Sequence, residues 1–434
     1  MSLDLQAQEL NETIRSTNPH VYDLLSDRGK AIFFPKRGIL SQTEQAKGKK
    51  INATIGTALE DNGSPMVLDS LSNLLNLKNK EAFSYAPSYG RPDIRKAWKE
   101  HLFQKNRSLA GKEISLPVVS CALTHGLSMA GYLFVNENDT IISPDLYWEN
   151  YDLVFGSAYG AKIDTFPLFV NNSSFNIEGL RNKLAGSPVG RKIVILNFPN
   201  NPTGYTVTEN EALQIKDVLV DAANAGNNIV VFIDDAYFGL VYKEGILKES
   251  MFSFLADAHE RILAVKFDGP TKEDYVWGFR VGFITFATAL NSPAFYTALE
   301  AKCAGAIRGN ISNATNIGQS LLITAYNNES YTSEKVAKSE MLRRRFLKII
   351  EIFDSHKEYA DYFYPLPFNS GYFMCVKLVK GDTDTVRREL LDKYNTGVIA
   401  LGPVIRIAFS ATPFDLLEEL FENLYKASKS IAGA

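Results

Sequence analysis

Cysteine and histidine are scarce: the 434 residues include three cysteines (Cys121, Cys303, Cys375) and five histidines. No two cysteines stand close enough for a CxxC site and no HExxH occurs, so neither a disulfide framework nor a metal centre is expected. Charge of one sign is also missing, since 46 basic against 49 acidic side chains leave −3. That argues against a nucleic-acid binder, which carries a strongly basic face. No apolar run approaches the ~18 residues that cross a bilayer. The opening Met1-Ser2-Leu3-Asp4-Leu5 lacks the basic region and apolar core of a secretory leader, so the expected address is the cytosol, with no membrane partner. No GxGxxG follows an early strand, which removes the usual signature of a nicotinamide-dependent dehydrogenase.

What is present is ordinary globular material, 45% hydrophobic and 22% charged, enough for a sizeable core. At roughly 150 residues per domain, the length suggests two or three domains, or one large and one smaller. Helical patterns over 92–105, 125–136 and 209–224, the last with Thr208 as N-cap, alternate with short apolar strands. The strands read at 140–143, 162–166, 192–196, 228–233, 262–267 and 281–286. Strands apolar on both faces and separated by helices indicate an α/β domain with a mostly parallel sheet. In such sheets ligands sit outside the carboxyl ends of the strands. Residues 290–355 read as mainly helical, with a long helix near 310–350, and 372–431 as strand–helix–strand–helix, a smaller α+β domain. The large domain is set at 60–325 and the smaller one, with an N-terminal arm, at 1–59 and 326–434. Arg343-Arg344-Arg345 is expected to be a solvated helix face.

Three motifs follow strands. The first is Asn197-Phe198-Pro199-Asn200-Asn201-Pro202-Thr203-Gly204; the second is Asp234-Asp235-Ala236-Tyr237; the third is Lys272, eight residues before Arg280. Taken singly they read as a Pro/Gly turn, an acidic N-cap and an unremarkable pair of cations. Their order is more specific: Asn201, then Asp234 33 residues on, then Lys272 38 residues after that. This set resembles the class I aminotransferases, the aspartate aminotransferase group of fold type I pyridoxal-phosphate (PLP) enzymes, over nearly the whole chain.

The resemblance implies a seven-stranded type of sheet between helices, a smaller α+β domain, and a homodimer acting on amino acids and 2-oxo acids. It implies that Lys272 holds PLP as a Schiff base and moves the substrate's α-proton. Asp234 would partner the protonated ring nitrogen, with Asp235 pointing elsewhere, while Tyr237 and Asn201 would hydrogen-bond the ring oxygen. The phosphate would take backbone donors at a helix start, assigned to Gly126, Leu127 and Ser128, together with Thr271, Arg280 and Tyr85 of the neighbouring subunit. Trp148, or Tyr147 beside it, would cover the ring. Arg406, an arginine inside the apolar strand Val404-Ile405-Arg406-Ile407, would clamp the substrate carboxylate, with Gly56 lining the same pocket. Arg308 would reach across the dimer to a side-chain carboxylate, favouring aspartate or glutamate, with aromatic amino acids a further option. The family's usual serine three residues before the lysine is Gly269 here, so that phosphate hydroxyl is missing. The same resemblance leaves open a PLP-dependent β-elimination lyase and a non-catalytic PLP-binding regulator.

Overall fold

Seven strands form one sheet, the inner ones short and apolar on both faces and the edge strand Lys162–Phe166 more polar: β1 (Val118–Ser120), β2 (Thr140–Pro144), β3 (Lys162–Phe166), β4 (Arg191–Asn197), β5 (Asn228–Asp234), β6 (Ile262–Asp268) and β7 (Gly282–Ala287). The architecture is that of a computed structural model, which describes residues 3–17, 39–72, 77–186 and 188–433 and the single positions 22, 25 and 30. The strand order is β1-β7-β6-β5-β4-β2-β3. All neighbours run parallel except β7, which is antiparallel to both β1 and β6. The α/β, mostly parallel expectation therefore holds. The register sets Asn197 beside Asp234 and Asp234 beside Phe267, so the carboxyl ends of β4, β5 and β6 form one rim.

Helices cover the sheet. α1 (Pro92–Lys105) starts on proline with Asp93 in its first turn and ends on Lys105, and it buries Ile94, Trp98 and Leu102 at four-residue spacing. α2 (Ala122–Phe134) begins three residues earlier than the expected 125. α3 (Glu209–Asn224) has the expected Thr208 cap, completed by Glu211 as a capping box. Next come the one-turn α4 (Pro270–Glu273), then α5 (Pro293–Asn310), α6 (Asn316–Tyr326) and α7 (Tyr331–Ser355). The single long helix expected near 310–350 is thus broken twice. Ser312 takes a left-handed φ of 69° and Thr315 caps α6 by accepting from the Gly318 amide. The 25-residue helix is α7.

A second, antiparallel sheet of four strands follows, β8 (Phe363–Pro365), β9 (Met374–Leu378), β10 (Ile399–Leu401) and β11 (Val404–Ile407), in the order β8-β9-β11-β10. α8 (Thr383–Tyr394) packs with it, and α9 (Leu417–Ala432) packs against α8 and α7. The segment before the large sheet joins this region: Ile51 and Asn52 pair in parallel with Thr396 and Gly397. Part of the expected 1–59 segment lies outside the described residues. Arg345 corrects the expectation of a solvated triplet. It is fully buried, its guanidinium donating to the Ser410 and Leu59 carbonyls and to Asp61, because it falls on the inward side of α7. Among the described residues no helix is long and apolar enough to cross a membrane.

Candidate active site

The strand rim and the second sheet bring six predicted residues together: Asp234, Asn201, Arg406, Gly56, Tyr237 and Lys272. Asp234 ends β5 with its carboxylate buried; Oδ2 accepts from the Tyr151 hydroxyl at 2.6 Å and Oδ1 from the Ala236 amide at 3.1 Å. Burial raises its pKa, opposed by the Tyr151 hydrogen bond and by the charge of Lys272. Asn197 joins Asp234 to the next motif: its Nδ2 donates to the Asp234 carbonyl at 2.7 Å and its Oδ1 accepts from the Asn201 amide at 2.8 Å. Asn201 Oδ1 in turn accepts from Arg406 Nη1 at 3.2 Å.

Arg406 occupies a central strand of the small sheet, opposite both Cys375 and Ile399. Its guanidinium stacks 4.3 Å from the centre of the Phe373 ring, and Nη2 donates to the Thr54 carbonyl at 3.3 Å. Nε is buried with no acceptor among the described residues. A buried guanidinium with an unused donor is costly unless an anion completes it, and burial pulls its pKa down accordingly. Gly56 lies over the same ring, since a Cβ there would meet Phe373 at 3.9 Å. Tyr237 closes the loop, edge-on to Phe373 at 5.6 Å, with Lys272 Nζ 5.3 Å from its own ring centre.

Lys272 is half-buried, and among the described residues its amine makes no hydrogen bond or ion pair. Burial pushes its pKa down to about 8; Asp234 opposes the shift and Arg280 adds to it. Near-neutral water would therefore hold an appreciable share of free amine, the form that attacks a carbonyl or takes a proton. Arg280 is exposed, has φ 53°, and among the described residues donates only to the Trp277 carbonyl, at 3.5 Å. It pairs with no carboxylate among the described residues and is free for an anion.

The helix start corrects one assignment. α2 begins at Ala122, whose φ of 60° is left-handed, a conformation costing a non-glycine residue about 1–2 kcal/mol. The Cys121 amide is capped by His125 Nδ1 at 3.1 Å. The open first-turn amides are then those of Ala122, Leu123 and Thr124. Gly126, Leu127 and Ser128 lie beyond that turn and are structural. A Cβ at Gly126 would press on Ser120, Phe267 and Ile284 at 3.3 Å; Leu127 is in the core; and the Ser128 hydroxyl meets that of Tyr159 at 3.3 Å. Gly269 also has a physical reason: a Cβ there would come within 2.9 Å of the Val281 carbonyl, so no serine fits. The Thr271 hydroxyl is buried and among the described residues reaches only that same carbonyl, at 3.5 Å.

Trp148 and Tyr147 both flank Tyr151. Tyr147 lies parallel to it at 6.1 Å with its hydroxyl tied to Asp152, whereas Trp148 meets it edge-on at 5.7 Å with no ring stacked on its own faces among the described residues. Two predicted residues stay apart from the cluster. Tyr85 is 91% exposed, and Arg308 sits exposed near the end of α5, touching Ser312 at 3.3 Å. Sequence reasoning missed Tyr151, Asn197 and Phe373. Only Asn197, directly after an apolar strand, offered a local signal.

The donor set fits PLP: an unpaired amine suits an aldehyde, a buried carboxylate a ring nitrogen, and open helix amides with a free guanidinium a phosphate. A family model, aminotransferase class I and II, matches residues 48–424. Relatives include an aspartate aminotransferase of Bacillus subtilis (strain 168), 25% identical over 87% of this chain and 93% of that protein. Another, from Bacillus sp. (strain YM-2), is 27% identical over 78% of this chain and 82% of its own. Among solved structures, an aminotransferase from Anaerococcus prevotii superposes with a TM-score of 0.79 at 22% identity, covering 93% of this chain and 99% of that one. The cytoplasmic aspartate aminotransferase of Saccharomyces cerevisiae superposes at 0.75 with 19% identity, covering 92% and 98%. These structural likenesses carry the fold.

Proposed function

The chain belongs to the class I and II aminotransferase family, and from that premise we propose that it is a PLP-dependent aminotransferase moving the amino group of an amino acid to a 2-oxo acid such as 2-oxoglutarate. One observation carries the reading: Lys272, whose half-buried amine makes no hydrogen bond or ion pair among the described residues, and the buried Arg406, whose Nε lacks an acceptor among them, lie against two rings that touch, Tyr237 and Phe373.

Bound PLP supplies an aldehyde to take up the amino group and an electron-accepting ring for the α-carbon. This chain's residues do the rest. Asp234 would hold the proton on the ring nitrogen, with Tyr151 and the Ala236 amide keeping its carboxylate aimed. The amides of Ala122, Leu123 and Thr124, with Arg280, would hold the phosphate, and Trp148 would stack on the ring. Tyr237 and Asn201 would hydrogen-bond the ring oxygen. Arg406 binds the substrate α-carboxylate through the Nε and Nη donors left to it. That fixes the α-carbon for Lys272 Nζ, which removes its proton and holds it for return.

Tyr85 and Arg308, exposed in the single chain, are assigned to the neighbouring subunit's site, which makes a homodimer the working unit. Arg308 would then read a second carboxylate and favour aspartate or glutamate. A panel of amino donors against 2-oxoglutarate, followed through the cofactor spectrum, tests the reading. Turnover is expected with at least one donor in the wild type and none in K272A; normal turnover in K272A overturns it.

A further inference from the structure

The turn that carries Lys272, Pro270–Glu273, is a single helical turn. So short a helix fixes many dihedrals for few hydrogen bonds and does not hold itself. Its anchors come from elsewhere. Tyr372, fully buried, donates its hydroxyl to the Lys272 carbonyl at 2.8 Å and sets its ring edge-on to Tyr237 at 5.3 Å. Lys335, near the start of α7, places Nζ 3.0 Å from Glu273 Oε1 and 2.8 Å from Asp274 Oδ1. Lys105 of α1 gives Glu273 a second cation at 2.8 Å. Tyr331 and Tyr326 donate hydroxyls to Asp274 at 2.8 and 3.3 Å. Burial alone would raise the Glu273 carboxyl's pKa, yet Lys105 and Lys335 hold it well below its ordinary value.

These anchors divide by origin. Lys105 rides on a helix of the large sheet; Tyr331, Lys335 and Tyr372 come from the chain beyond α6. α7 is itself fixed at mid-length, where buried Arg345 donates to the Leu59 and Ser410 carbonyls. Resting on the reading of Lys272 as the residue that moves the α-proton, we infer that Lys335 and Tyr372 are positioning residues. They bind the Lys272 turn to α7 and to the segment that leads into β9, so the amine keeps its place only while that region is docked.

The physical case is that the Lys272 amine has no hydrogen bond of its own among the described residues, so its position is set through the backbone beneath it. A looser backbone displaces the reacting nitrogen, and a misplacement of about 1 Å can cost ~10²-fold in rate.

Four variants test this. Y372F removes one oxygen, K335M removes a charge but keeps most of the stem, and K335R restores the charge. K338M breaks the Lys338–Glu60 pair on the same helix, away from the turn. Amide hydrogen exchange over 270–276 is read in cofactor-free protein, and kcat and KM in the PLP-loaded enzyme. Expected are faster exchange in Y372F and K335M, kcat lower by about 10- to 100-fold with KM unchanged, recovery in K335R, and wild-type behaviour in K338M. Wild-type exchange and kcat in both Y372F and K335M would overturn the inference while leaving the aminotransferase reading intact. Easier unfolding with full turnover of the folded fraction would overturn it too, as a merely structural role. If the wild type neither takes up PLP nor transaminates, the reading of Lys272 fails instead, and the exchange data alone decide whether the turn is tied as described.

Discussion

Asp234 and Asp235 are neighbours at the end of one strand, and Lys272 and Glu273 are neighbours on one turn, yet each pair faces two different environments. On the near side, Asp234 meets one phenol and one amide, Lys272 has no acceptor, and Arg406 Nε is orphaned among the described residues. On the far side, Asp235 pairs with Lys266, which also lies 3.4 Å from Asp268, while Glu273 sits between Lys105 and Lys335. The Trp98 indole donates to Asp268 at 3.0 Å, and Phe238 lies 4.4 Å from the Lys266 ammonium. Both sides bury charge. One leaves its valences open for a ligand; the other closes nearly all of them within the protein. An open valence in a buried group costs stability and marks a site, and a paired one marks scaffold.

The comparison can be broken from either side. Lys272→Ala should have the largest effect, a loss of at least about 10⁴-fold in transamination, read as steady-state turnover with folding checked by circular dichroism. Asp234→Asn should lower kcat by about 10²–10³-fold with little change in denaturant midpoint, because Asp234 makes no ion pair among the described residues and Lys272, which feels its charge, can shed its proton. Arg406→Lys should reduce kcat/KM for the amino donor by about 10²-fold, since a point charge cannot reproduce the two-donor fork. Asp235→Asn should do the reverse of Asp234→Asn. Stability should fall by about 3 kcal/mol, because Lys266 loses its nearest carboxylate in a fully buried place, while the folded fraction keeps its activity. If the Asp234 and Asp235 variants lost activity and stability in equal proportion, the two-sided account would be wrong.

The smallest effect concerns pH. The native Lys272 pKa lies near 8, below its ordinary 10.5. Between those values the native protein binds fewer protons at this site than the unfolded chain, so stability rises with pH across the window. Cofactor-free wild type should therefore gain stability relative to K272M from about pH 8 to 10.5, and parallel curves would contradict the depressed pKa.

Much of the fold was legible because it is written locally. Short strands such as Asn228–Asp234 are apolar between their end residues, the Thr208/Glu211 box announces α3, and the chemistry-bearing motifs stand at or directly after strand ends. Less local features were missed. The start of α2 depends on a left-handed alanine that no glycine signals. Arg345 sits in a run of three arginines, yet helix phase turns it inward onto carbonyls far away in sequence. The breaks in the expected long helix had a signal in Asn310-Ile311-Ser312-Asn313 and Asn327-Asn328, polar residues that favour turns over helix interiors. Tyr151 and Tyr372 had none, because their significance is a contact 83 or 100 residues away.

The central claim, that the open side of this pair of environments is a transaminating site, meets its most direct test in a half-reaction. PLP-loaded protein is mixed with one effective amino donor and no oxo acid, and the products are counted per subunit. One equivalent of 2-oxo acid with no free ammonia, abolished in K272A, is the result predicted. Continuous release of ammonia, or an unchanged yield in K272A, would contradict it.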